Sequence, residues 1–430
     1  MRKIAGAVAL LASVGVSGAA TAQMTAPVLQ PVLNFDYSRG RNTSVNERER
    51  PEYMSTGVQL GGFTAFPTLA LGTGFTNNMF ETDLAKRSSA YFQIDPDLRV
   101  VSNWSRNSFQ FEAGGTLRRY TATSVRDENG WRVGGAGRID AGDFTVISLD
   151  ASTAQQYETR FSGSTPGDTA SATPYQLSRT SIQADQTVGR FKITLNGAFT
   201  SADFSSIQLL DGVSLDQKFR NRDTYDAIGR VAYALNPDLS VFGQFTYEDA
   251  SYDKRFATGF NDRNAREYRA LGGVSMDLTA LVRGSFAIGY TDRHYLAGLY
   301  NNVKGLSFET RFEYFPSELT TVTVAGRRVI QDASIIGSSG YFNTGGGVRI
   351  DHEFLRNVIA NIGLDYEDDS YRGIDANARV LVASGGVRYL FSRMVGIGAT
   401  VSYGQRHNRG VDVGPSFNET SGLLSLYLQK

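Results

Sequence analysis

The sequence predicts an all-β fold: a closed antiparallel transmembrane β-barrel of about 18 strands. Three observations predict it. Apolar and polar residues alternate over stretches of about ten residues from near position 57 onward, a period of two that only strands produce. The connections between these stretches alternate between short turns and longer polar loops. Beyond residue 22 the chain contains no run of about eighteen apolar residues, the minimum for a membrane-spanning helix.

The first residues bear on compartment. Arg2 and Lys3 precede an apolar stretch, Ile4 to Ala20, and Ala20-Thr21-Ala22 has the small-x-small form that a signal peptidase reads. Residues 1–22 are therefore expected to be a cleaved signal peptide, with Gln23 the first mature residue. The chain has no Cys, which excludes lipoprotein processing, disulfide staples, thiol catalysis and Cys-ligated metal. Lys+Arg and Asp+Glu are equal at 43 each, so no basic field exists for a nucleic acid.

Residues 23–56 show no period and hold Pro27, Pro31 and a charge-dense piece from Arg39 to Glu52. They are expected to form an extended periplasmic or luminal N-terminal segment, leaving 57–430 as the barrel. Within 57–430 the alternation is plain in several stretches. Leu306, Phe308, Phe312 and Tyr314 share one face, opposed by Ser307, Glu309, Arg311 and Glu313. Val282, Phe286, Ile288 and Tyr290 oppose Arg283, Ser285 and Ala287. Abundant Gly (46) and aromatics (Tyr 21, Phe 26) with only 10 Pro suit a sheet greasy on one side and wet on the other.

Short turns are expected near 103–107, 141–143, 189–190, 236–238, 279–281, 316–318, 355–356 and 392–393. Four share a form, as in Leu235-Asn-Pro-Asp-Leu239 and Phe315-Pro-Ser-Glu-Leu319, where an apolar residue closes one strand and another opens the next. Nine longer loops, among them 76–89, 156–174 and 204–221, are polar and variable in length. That variability argues against a solenoid or propeller, which would repeat one turn at a fixed length. Short turns on one side and long loops on the other follow the outer-membrane pattern of periplasmic turns and extracellular loops. Lipid leaves no partner for unpaired backbone groups, so the sheet must close on itself.

Aromatic residues gather at strand ends: Phe75, Tyr120, Phe144, Phe191, Tyr252, Tyr295, Phe315, Tyr341, Phe354, Tyr366, Phe391 and Tyr403. Amphipathic rings favour the headgroup level, so these are expected to form girdles. About eighteen strands enclose an interior too wide for side chains to fill. The polar faces supply its expected lining, chiefly Glu112, Arg118, Arg132, Arg138, Arg283, Glu309, Arg311, Glu313, Arg349 and Asp365. Both signs of charge are present. Guanidinium forks beside carboxylates suit many weak hydrogen bonds to uronic or neutral sugars; the same opposite charges also suit pairing across the interior.

The stretch from Arg48 to Asp83 carries a family resemblance. Arg48-Glu-Arg-Pro51-Glu-Tyr53, Gly57, Gly61-Gly-Phe63, Phe66-Pro67 and Gly74-Phe-Thr-Asn77-Asn78-Met-Phe80 resemble the opening of an outer-membrane β-barrel porin family associated with exopolysaccharide gene clusters. Thr76 stands where that pattern has an acidic residue. The resemblance implies a passive conduit supporting exopolysaccharide secretion, with a general diffusion porin or a plugged surface-interaction barrel as alternatives. Its expected partners are outer-membrane lipid and lipopolysaccharide, a polysaccharide substrate, and a periplasmic export component docking on 23–56.

No catalytic centre is expected. The three histidines, His294, His352 and His407, are scattered, and a triad or a transition-metal site needs convergent partners. Gly345-Gly-Gly347 lies in a strand pattern and lacks the following helix of a phosphate cradle. No cofactor is implied.

Overall fold

The structure is a computed structural model describing residues 38, 40–84, 86–159, 161, 169–253, 263–279, 281–333, 335, 337–411 and 413–430. The expected signal peptide, residues 1–22, lies outside the described residues. Eighteen long strands form one antiparallel barrel. They are β1 (Phe63–Thr76), β2 (Ser89–Ser102), β3 (Ser108–Tyr120), β4 (Glu128–Asp140), β5 (Thr145–Glu158) and β6 (Thr173–Val188). Next come β7 (Phe191–Phe204), β8 (Arg222–Asn236), β9 (Leu239–Tyr252), β10 (Ala265–Leu278), β11 (Val282–Tyr295) and β12 (Val303–Ser317). The last six are β13 (Thr320–Asp332), β14 (Gly340–Leu355), β15 (Val358–Tyr371), β16 (Ala376–Leu390), β17 (Val395–Gly410) and β18 (Phe417–Gln429). Each strand pairs with the next, and β18 returns to β1 in a ladder from Thr68↔Gln429 to Thr76↔Ser421. The barrel is closed as the sequence predicts, and its strand count is the one expected.

Closure follows from the environment. Strands of 13 to 16 residues rise about 3.3 Å per residue, and tilted by about 40° they cross a hydrocarbon core of about 30 Å with margin. Every ladder then finds a partner, as lipid requires. One ladder skips a step. Between β2 and β3 the pairing passes from Ile94↔Leu117 to Asp97↔Gly114, because Pro96 has no N–H to donate.

The connections sort by end. Residues 103–107, 141–144, 189–190, 237–238, 279–281, 318–319, 356–357 and 391–394 make the short turns, close to the expected positions. Four of them are two residues long, and Gly189-Arg190 uses Gly189 at φ 58°, a conformation that would strain most other residues. Longer connections occupy the other end, where the loop 205–221 carries a small hairpin pairing Ile207–Gln208 with Ser214–Leu215. A short strand, Val58–Leu60, leads into β1 and pairs with Phe63–Ala65.

The period of two sets the two faces. Leu306 is 62% exposed and Ile362 60%, on the surface that meets lipid, whereas Ser307, Ser285 and Thr291 are fully buried on the inner face. At the strand ends the aromatic residues divide. Phe75, Phe144, Phe191, Phe354, Tyr366, Phe391 and Tyr403 are exposed at the outer surface. Tyr120, Tyr252, Tyr295, Phe315 and Tyr341 are not girdle residues, which corrects the expectation. Their place in the alternation turns them inward, where Tyr252 and Tyr295 bond Asp332, Phe315 lies under Arg283, and Tyr341 stacks on Tyr371.

Candidate functional site

The inner face carries the charged side chains, and the ring of strands fixes which can meet. Of the ten sequence candidates, four lie on β3 and β4. Glu112 accepts from Gln110, Arg132 pairs with Asp97, and Arg138 with Asp140 at 3.0 Å. Arg118 contacts Glu128 at 3.2 Å and Gln93 at 3.0 Å while lying over the Tyr91 ring at 5.1 Å. In an eighteen-strand ring, β3 stands opposite β12.

The other six lie on β11 to β15. Arg283 and Arg311 converge on Glu313, at 2.5 and 3.3 Å. Glu309 pairs with Arg269 two strands away, bridging over β11. Arg349 holds Asp351 at 3.0 Å on its own strand. Asp365 occupies the space above Gly347, its register partner, where a Cβ would collide with the carboxylate. Arg283, Arg311 and Glu313 are thus brought together and Glu309 turns to Arg269, whereas Glu112, Arg118, Arg132 and Arg138 are spread along the opposite wall.

Near the long-loop end, Asp332 on β13 accepts from Tyr252 Oη at 2.5 Å, Tyr295 Oη at 2.9 Å and Arg293 Nη2 at 2.8 Å. Arg293 also reaches Glu248 at 2.7 Å and Glu267 at 3.1 Å. This network ties β9, β10, β11 and β13 through one buried guanidinium. Its residues were not singled out in sequence, because aromatic strand ends read as girdle and an acid at a strand end reads as solvated charge.

Residues 38 and 40–57 run across the short-turn end against the inner wall. Arg283 Nη2 bonds Glu47 at 2.7 Å, and its Nη1 reaches Ser38 Oγ and the Asn42 carbonyl. The Val45 amide donates to Thr321 Oγ1 at 2.9 Å, and Arg50 Nη2 bonds Glu353 at 2.6 Å. Farther round the ring, Arg356 pairs with Glu52, and Gln429 donates to the Tyr53 carbonyl. Burial disfavours the charge on Glu47, but hydrogen bonds from Arg283 and Ser44 outweigh it and hold the carboxyl below its usual range.

At the opposite end a loop residue crosses the interior. Phe161, just beyond β5, is 2% exposed and packs on Val380, Val382 and Phe417 of β16 and β18, with 4.8 Å between the two phenyl centroids. Gly404 on β17 makes room, since a Cβ there would strike the Phe161 ring. In a separate cluster, Met79, Phe80 and Ala170 meet Tyr120, Ala122 and Val125, packing three of the loops together. The histidines stand apart: His294 contacts Asp292 at 3.2 Å and Asn302 at 3.0 Å, and His352 contacts Thr320 at 2.9 Å.

A closed eighteen-strand barrel, apolar outside, charged inside and long-looped at one end, is an outer-membrane porin-like pore. The chain belongs to the family described as Putative beta-barrel porin 2, whose model matches residues 50–430. Among solved structures it is similar to three outer-membrane proteins of Pseudomonas aeruginosa. OpdK is 10% identical with a TM-score of 0.44, covering 85% of this chain and 99% of its own. OpdQ is 10% identical with a TM-score of 0.46, covering 89% and 99%. OpdO is 13% identical with a TM-score of 0.46, covering 85% and 97%. No curated protein matches the sequence.

Proposed function

We propose that this porin is a passive conduit supporting secretion of an extracellular polysaccharide across the outer membrane, with no covalent chemistry of its own. The observation that carries the proposal is the inner wall. On both opposed sectors guanidinium groups sit beside carboxylates, as in Arg118–Glu128 and Arg283–Glu313. Such a wall offers many weak donors and acceptors to hydroxyl and uronate groups without a net field that would hold either sign of ion. In this reading Glu112, Arg118, Arg132, Arg138, Arg283, Glu309, Arg311, Glu313, Arg349 and Asp365 line the passage. Lipopolysaccharide surrounds the outer rim, and the segment before residue 57 docks a periplasmic export component. Residues 1–22 are removed on export, which the mass of the mature N-terminus, starting at Gln23, would check.

Deletion of the gene should abolish or sharply reduce surface polysaccharide, and the purified barrel should conduct ions in a planar bilayer. Conductance with undiminished polysaccharide after deletion would leave a general diffusion porin. A second reading, a closed barrel whose loops bind partners, draws on the segment across the short-turn end and on Phe161 crossing at the other. A silent bilayer would favour it.

A further inference from the structure

A cavity of about 220 Å³ lies at the long-loop end between the ends of β3, β4 and β5 and that of β18. Arg126, in the loop between β3 and β4, lines it and is 5% exposed. One of its nitrogens, Nη2, bonds Glu81 at 3.0 Å, while Nε and Nη1 have no hydrogen-bond partner among the described residues. A buried donor left unmade is costly, so this guanidinium calls for an acceptor.

The charges around it restrict what that acceptor can be. Glu81, Glu128, Glu158 and Glu419 share the cavity with Arg118, Arg126 and Arg132. An anion drawn to Arg126 meets four carboxylates, and a cation drawn to the carboxylates meets three guanidinium groups. A neutral group carrying both hydroxyl donors and oxygen acceptors meets neither repulsion. Tyr91 and Tyr120, their ring centroids 5.4 Å apart, place aromatic surface in the same wall, where the C–H face of a pyranose can pack.

The geometry points to a binding site for one neutral sugar ring in this cavity, with its oxygens accepting from Arg126 and its hydroxyls donating to the facing carboxylates. The inference rests on the conduit reading and deepens it, naming neutral sugar units as what the passage recognises at its outer end.

The full-length porin in planar bilayers, with maltohexaose as the probe, tests this. Maltohexaose should interrupt the current, and Arg126→Met should shorten the interruptions about tenfold or more. Calorimetric titration of the purified porin in detergent with maltohexaose should give a heat of binding, and Arg126→Met should remove it. Glu419→Gln, with the same prediction, guards against a variant that does not fold. A conducting channel that ignores maltohexaose, or one that holds trigalacturonate longer, would overturn the site and leave the conduit standing. A barrel that binds maltohexaose in the titration yet conducts no ions would sink the conduit and not the site.

Discussion

Arg50 and Glu353 lie 303 positions apart in the chain and meet at 2.6 Å, both largely buried. The pair fastens residues 40–57 to the end of β14, on the inner face of the wall; ladder pairing with β1 begins only at Val58. A charge pair in such a place does more to fix position than to stabilise, because removing both charges from water offsets most of their attraction.

Breaking the pair on one side should be costly. Glu353→Gln leaves the Arg50 guanidinium buried without its carboxylate, a loss of about 3–5 kcal/mol in comparable sites. The loss falls on the segment, since the barrel ladders do not include it. Trypsin should then cut after Arg48, which Glu353 holds in the native protein at 3.9 Å; the Arg50–Pro51 bond resists trypsin in either case. The folded barrel should keep its heat-modifiable mobility. Protection from trypsin equal to that of the native protein would contradict the anchoring role.

Acid should act on the same segment. The folded Glu47 carboxyl titrates below its ordinary value of 4.5. The stability it contributes is therefore fully present above about pH 4.5 and is lost as pH falls through the lower, folded value. Between neutral pH and pH 5 the trypsin sensitivity of residues 44–57, read with an acid-tolerant protease at the lower end, should be flat, and it should rise below pH 4. In Glu47→Gln this acid step should shrink.

Phe161 should control the long-loop end. Phe161→Ala removes the ring from its seat on Phe417, Val380 and Val382, a change worth about 3–5 kcal/mol at a packed site. Gly404→Ala should displace the same ring by steric contact while leaving Phe161 intact. Both variants should raise single-channel conductance or its noise. Agreement between the two would show that the position of the ring, rather than the chemistry of either substitution, sets the effect.

The outer face should be intolerant of charge. Ile288 on β11 is 48% exposed and points away from the inner wall. Ile288→Arg should destabilise the folded barrel by about 2–4 kcal/mol if the position lies near the bilayer midplane. Urea unfolding in lipid vesicles reads that difference directly.

The alternation of residues assigns each strand side chain to a face without reference to any partner, since successive Cβ atoms point to opposite sides of a sheet. That is why the polar row Ser307, Glu309, Arg311 and Glu313 separates from Leu306 and Phe308 in the sequence itself. Turn chemistry likewise placed Gly189-Arg190 and Asn236-Pro-Asp238. Closure followed from the lipid, which tolerates no open edge. Which charges meet was not legible, because pairs such as Arg269–Glu309 and Arg293–Asp332 join strands that are not neighbours, and barrel curvature alone brings them within reach. Tyr252, Tyr295 and Tyr341 looked like girdle residues, since an aromatic at a strand end has the same spacing whether it meets lipid or a buried aspartate. Arg50, Arg126 and Phe161 lie in segments with no period at all. Sequence therefore determined the wall and its two faces, through rules that act over two residues. Only the tertiary structure decided what lies across that wall, because those contacts depend on a closed ring bringing distant segments together.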